Sequence, residues 1–142
     1  MDIIFSANNN ETVLVLPVLP EKMPELINSY NNSTFETVKG EINLIGQRAL
    51  RTVNIQSFFP VNKNYPFIRP QAEKDGWKYV NFFNKYTKQR VPIRMVWTDN
   101  FNEISNLAYT VESFSTQINK RGDIEFNLDL KEYRFVSALP EV

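Results

Sequence analysis

The stretch GDIEFNLDLKEYRFV, residues 122 to 136 of a 142-residue chain, decides the fold class. In it Ile124, Phe126, Leu128 and Leu130 alternate with Asp123, Glu125, Asn127 and Asp129. Successive side chains of a strand point to opposite faces, so this order predicts a strand with one dry face and one acidic face. Beyond Leu130 the apolar phase slips, because Tyr133 and Phe135 fall where polar residues stood before. A slip of one residue exchanges the two faces, and sheets accommodate it with a β-bulge. The stretch before it, LAYTVESFSTQI (107 to 118), slips as well: Leu107, Tyr109 and Val111 set one face before Phe114 and Ile118 take over. NKRGD between the two reads as a hairpin turn. Two bulged arms of one hairpin predict a strongly curved antiparallel sheet or barrel.

Period two recurs outward from this hairpin. TVLVLPVLP (12 to 20) is a short β-branched run stopped by Pro17 and Pro20, which suits an edge strand. ELINSYNNST reads as extended chain and loop. From Thr37 to Leu44, Val38, Ile42 and Leu44 share a face with Gly40 between them, a gap that marks a bulge, a sharp bend or close backbone approach. LRTVNIQSFFP (50 to 60) sets Val53, Ile55 and Phe59 against Thr52, Asn54 and Gln56, and VPIRMVWT alternates Val91, Ile93, Met95 and Trp97. DNFNEISN (99 to 106) reads as a turn-rich link. Gly40, Gly46 and Gly122 fall at expected turns or bends.

One segment changes period. In QAEKDGWKYVNFFNKYTKQR (71 to 90), Tyr79, Phe82, Phe83 and Tyr86 lie at i, i+3, i+4 and i+7, an amphipathic helix with Lys74, Lys78, Lys85 and Lys88 on its wetter faces. Its aromatic stripe is core packing rather than a ligand box. The expected fold is therefore mainly β with one packed α-helix, an antiparallel β-sandwich or barrel. Residues 1 to 142 form one domain, because a chain of this length fills a single core.

Composition removes most chemistry. Apolar residues at 42% and aromatics at 13% supply a packed core, while the chain has no Cys and no His. Disulfides, thiolate nucleophiles, Cys/His zinc sites and imidazole bases are excluded. The carboxylates lack the spacing of a calcium loop, so no cofactor or metal is expected. An enzyme would need two converging carboxylates, such as Glu112 and Asp129, and no motif brings them together, so none is expected. No signal peptide and no apolar run of membrane-spanning length occurs, and a soluble protein made in the cytoplasm is expected.

Net charge is zero but unevenly placed. Residues 1 to 40 carry two cations and five anions (−3), residues 41 to 98 ten and three (+7), and residues 99 to 142 four and eight (−4). The basic middle is scattered over strand, loop and helix without an aromatic nucleic-acid motif. Neutralisation within the fold, or between neighbouring copies, is the better reading.

GEINLIGQRALRTVNIQSFFP (40 to 60), PIRMVWT (92 to 98), TVESFS (110 to 115) and GDIEFNLDLKEYR (122 to 134) together carry a resemblance. In that order and spacing they resemble the N-terminal domain of LysM-containing tail proteins of Firmicutes phages, prophages and phage-tail-like bacteriocins. The resemblance covers the chain from Asn32 onward and implies a tail-tube-like fold of packed antiparallel sheets flanked by a helix. It implies a structural component of a contractile tail baseplate at the joint of tube and hub, a tube initiator or hub adaptor. The partners it implies are tube, hub, sheath or wedge subunits in a homo-oligomeric ring, inside a virion or tail-like particle assembled in the bacterial cytoplasm. The LysM module of that family has no counterpart in these 142 residues, so its peptidoglycan contact is not expected.

On this reading Asp123, Glu125 and Asp129 form an acidic face that meets a neighbouring subunit, lines a channel or stays solvated. Glu41, Arg48, Glu132 and Arg134 are candidates for ion pairs between subunits or within the chain, and charge reversal at Glu132 is expected to impair assembly more than monomer stability. The alternative is a cell-wall module binding peptidoglycan or glycan through Trp77 and Trp97, but both stand in apolar-patterned positions and are expected to be buried.

Overall fold

In the computed structural model, which describes residues 1–100 and 102–135, the elements run in the order β1 (Asp2–Ala7), β2 (Thr12–Val15), β3 (Ser33–Thr37), β4 (Gly40–Leu44), β5 (Thr52–Phe59), α1 (Trp77–Gln89), β6 (Ile93–Asp99), β7 (Asn102–Ile118) and β8 (Ile124–Glu132). Six strands form one antiparallel sheet in the order β2-β1-β6-β7-β8-β5, and β3 and β4 pair only with each other. The expected antiparallel β-fold with one packed helix is present, and the sheet takes a curled, half-barrel form.

The curl follows from β7. Its first half pairs with β6 and its second half with β8, and Tyr109 lies opposite both Ile93 and Glu132. A bulge between Val111 and Ser113, centred on Glu112, lets the strand turn from one partner to the other. A second bulge in the same strand leaves Ile104 unpaired opposite Trp97 and Thr98 of β6.

The helix closes the concave side. Tyr79, Val80, Phe82, Phe83 and Tyr86 are buried, so the stripe read from the sequence is core. Phe59 stacks on Tyr79 at 4.8 Å and on Phe126 at 4.1 Å, an aromatic column running from helix through β5 to β8. Each buried ring contributes about 1.5–3 kcal/mol by burial, and each aromatic contact about 0.5–1.5 kcal/mol more. Burial pushes the Tyr79 hydroxyl up to about 12, and that hydroxyl donates to the Val15 carbonyl while accepting from the Glu73 N–H. The helix ends at Arg90 in the left-handed region (φ 59), whose N–H returns to Thr87 and Tyr86 carbonyls.

Four sequence expectations change. First, the apolar phase does not slip in β8: the even-numbered face continues through Glu132, which is 5% exposed, and the strand stops there while Tyr133 is exposed. Of the two arms of the last hairpin, only β7 is bulged. Second, residues 102 to 106 of the supposed link belong to β7, held by main-chain pairing with β6: Asn102, Glu103, Ile104 and Asn106 are exposed, and Ser105 is buried. Third, of the turn or bend expected at Gly40 it is the turn that forms, closing β3 onto β4 at φ +117, so that 37 to 44 is not one strand. Fourth, β1 is unheralded above: Asn8, Asn9 and Asn10 all adopt positive φ and turn β1 into β2, a conformation asparagine tolerates better than other side chains. The end of the opening stretch, Val136, lies outside the described residues.

Candidate assembly surface

The charged residues singled out above fall into three places along β8 and one beyond it. At the start of β8, Asp123 is completely buried rather than part of an exposed acidic face. Its carboxylate accepts from the Tyr65 hydroxyl at 2.7 Å and from the Val61 N–H at 3.2 Å, with the Arg121 guanidinium 3.8 Å away. The bond to Asp123 holds the Tyr65 hydroxyl above the usual phenol range. Asp123 thus ties the loop after β5 to the β7–β8 turn.

At the end of β8, Glu132 occupies what would be the next apolar position. Arg48 meets it through two parallel hydrogen bonds of 2.7 and 3.0 Å, and the Arg51 N–H donates at 3.0 Å. The Arg134 guanidinium stands 3.8 Å from the same carboxylate and donates to the Arg48 carbonyl. The fork from Arg48, against the opposing effect of burial, holds Glu132 at about 2. Arg48, Glu132 and Arg134 are therefore partners of one another within the chain, the second of the two arrangements expected above, and charge reversal at Glu132 would also break this intrachain pair.

Between these ends lies a polar ladder on the outer face. Asn54 donates to Asn127 at 2.7 Å and to Asp129 at 2.6 Å, and Ser113 donates to Asp129 at 2.7 Å. The Asn54 and then the Ser113 bond hold Asp129 below the usual carboxylate range. Glu125 is exposed. Glu112 and Asp129 do line a common cavity of about 800 Å³. A carboxyl kept ionised by two donors suits a fixed charge rather than a proton donor.

The fourth place is β3–β4, a two-stranded arm outside the main sheet. Phe35 and Ile42 lie opposite each other, as do Ser33 and Leu44, so Phe35, Ile42 and Leu44 share one face. All three are exposed, by 49%, 43% and 47%, and Ile45 and Val38 more so. On the other face Glu36 lies directly opposite Glu41, a like-charge pair that costs stability. The arm is rooted by main-chain bonds from Asn31 to Gln47 and from Ala49 to Ser29, and by the Gly46 N–H on Asn32 Oδ1. Gly46 is obligatory there: a Cβ would sit 1.8 Å from the Asn31 carbonyl oxygen. The arm's exposure was missed because period two alone does not say whether a dry face finds a partner.

Of the two tryptophans, Trp97 is 7% exposed as expected, whereas Trp77 is 43% exposed at the first helical residue. Among the described residues no acidic cluster is arranged to hold a metal ion.

Two solved structures are similar in chain trace. A chain in the sheath/tube terminator of the extracellular contractile injection system PVC, in its extended state, is 14% identical with a TM-score of 0.47, over 93% of this chain and 89% of that one. A chain in the six-fold symmetrised baseplate of the anti-feeding prophage is 10% identical with a TM-score of 0.47, over 94% of this chain and 88% of that one. No family model matches the chain, and no curated protein matches it.

Proposed function

We propose that this chain is a structural subunit of a contractile phage tail or tail-like particle, placed at the joint between tube and hub, where it enters a ring of copies alongside tube, hub, sheath or wedge proteins. The observation that carries the reading is the β3–β4 arm. A lone two-stranded ribbon is marginal in water, and this one exposes a continuous apolar face, while its other face carries the Glu36–Glu41 pair, which has no ion-pair partner among the described residues. The apolar face is covered when the arm lies on an apolar surface of a neighbour, and the carboxylate pair on its other face is then left to meet a cation from a second contact. An arm that meets a different surface on the next copy makes a heterologous contact, which closes into a ring by rotation. The sequence blocks that resemble tail proteins of Firmicutes phages agree with this placement. In such a particle Glu41 and Glu125, exposed in the chain alone, are the acidic contacts to a neighbour.

The test is the solution mass of the chain, alone and mixed with the tube and hub proteins of its own genome, measured by light scattering. A defined complex is expected, and the double variant Phe35→Ser/Ile42→Ser is expected to lose it while keeping the parent melting temperature. A chain that stays monomeric with every such partner would reject the reading.

A further inference from the structure

The cavity of about 800 Å³ lies along the open edge of the main sheet. Its lining takes Val53 and Leu130 from the core side of β5 and β8, Thr52, Asn54 and Gln56 from the outer side of β5, and Asp129 and Glu112 from β8 and β7, so it follows the β5 edge and reaches over the outer face beside it. The direction of that backbone follows from one bond. The Glu132 N–H donates to the Arg51 carbonyl at 2.7 Å, and the register continues as Thr52 opposite Lys131 and Val53 opposite Leu130. In an antiparallel ladder the pairs alternate, so Val53, Ile55 and Ser57 turn their main-chain groups to β8, while Thr52, Asn54 and Gln56 turn theirs outward. Those three residues line the cavity. The segment 21–27 forms the opposite wall, yet no main-chain bond among the described residues joins it to β5.

The groove has an apolar floor and a charged rim. Val53, Leu130, Met23 and Ile27 supply the floor. Around them stand Glu21, Glu25, Glu112 and Asp129 against the single cation Lys22. A free strand edge takes an added strand through main-chain bonds, with side chains at alternate positions setting specificity.

We propose that the β5 edge and this groove accept an extended segment of a different protein, with lysine or arginine at alternate positions facing the carboxylates and apolar side chains between them facing the floor. A second copy of this chain does not fit that description. The other edge strand, β2, reads Thr-Val-Leu-Val without a cation, and the arm strands bring Glu36 and Glu41. The exposed lysines of α1 sit on a helix, whose backbone has no groups to offer an edge. The inference stands apart from the particle reading, because it needs only a groove and a peptide.

The experiment titrates the isotope-labelled full chain with a short end-blocked peptide alternating valine and lysine, with its valine–glutamate counterpart, and with the lysine peptide methylated on alternate backbone nitrogens. The lysine peptide is expected to shift the Thr52, Asn54 and Gln56 amides and slow their exchange. It should bind about tenfold or more tighter than the glutamate peptide, with an advantage that shrinks as salt rises. Methylation should abolish the slowed exchange, and the surface variants Glu25→Lys and Glu112→Lys should each weaken binding at an unchanged melting temperature. No binding at millimolar peptide, equal binding of the two charge types, or shifts centred away from β5 would overturn the proposal. So would slow exchange of these three amides in the free protein, with light scattering then telling a second copy from the chain's own cover.

Discussion

At the scale of single residues, the chain places its charges where they cross-link its own segments. Glu132 is the sharpest case: its folded value of about 2 lies below the ordinary 4.5, so it stabilises the fold above the ordinary value and loses that contribution as pH falls toward 2. The shift corresponds to about 3 kcal/mol at neutral pH. Glu132→Gln is therefore expected to lower the melting temperature by roughly 10 °C at pH 7, with the difference from the parent closing as pH falls from about 5 to 2. Thermal unfolding followed across that range checks it, and parallel curves for the two proteins would show that Arg48 does not act through this carboxylate. The sequence could not reveal this pair. Glu132 stands in the apolar phase of β8, and from periodicity alone a polar residue there reads as a slip of register rather than as a buried ion pair 84 residues from its partner. Asp123 was misread for a similar reason: its place next to Glu125 suggested a shared face, whereas the turn carries it inward to Tyr65.

At the scale of elements, α1, β5, β6 and β8 were legible because each shows its period over a full length of chain, and the aromatic stripe could face only a core, whereas β1 was not read as a strand. β7 was half legible. Its bulge appears as a phase shift at Val111, but its first five residues look like a turn until β6 is there to pair with them. The β3–β4 arm was the least legible, since nothing local separates a strand in a sheet from a strand in a free ribbon. Its root gives a prediction at this scale. Gly46→Ala drives a methyl group into the Asn31 carbonyl, and both the Asn31–Gln47 bond and the Gly46–Asn32 bond must yield. Amides of Asn31 and Ser33 to Leu44 are expected to exchange about tenfold or more faster in the variant, with β8 amides unchanged. Equal rates at the root in both proteins would mean that the arm already opens at Asn31 without help.

At the scale of the whole molecule, the uneven charge of the sequence resolves into contacts between its thirds. Arg69 from the basic middle pairs with Asp2 of the acidic start at 2.6 Å, and Arg48 pairs with Glu132 of the acidic end at 2.7 Å. The same crossing occurs in the core, where α1 and β5 from the middle of the chain sandwich their rings against β8 from the end. One sheet, with β7 shared by its two halves, and one aromatic column imply a single cooperative unit that excludes only the arm. Phe126→Ala tests this directly, because Phe126 is 4% exposed and its ring is the β8 end of the column. The substitution is expected to cost about 3–5 kcal/mol. If the sheet is one unit, hydrogen exchange should quicken by the same free energy in β1 and β6, which do not touch Phe126 through the column, as in β5, β8 and α1. The arm, opening on its own, should keep its parent rates. Retained protection in β1 and β6 would instead mean that β7 joins two units that unfold separately, with the bulge at Glu112 as the boundary between them.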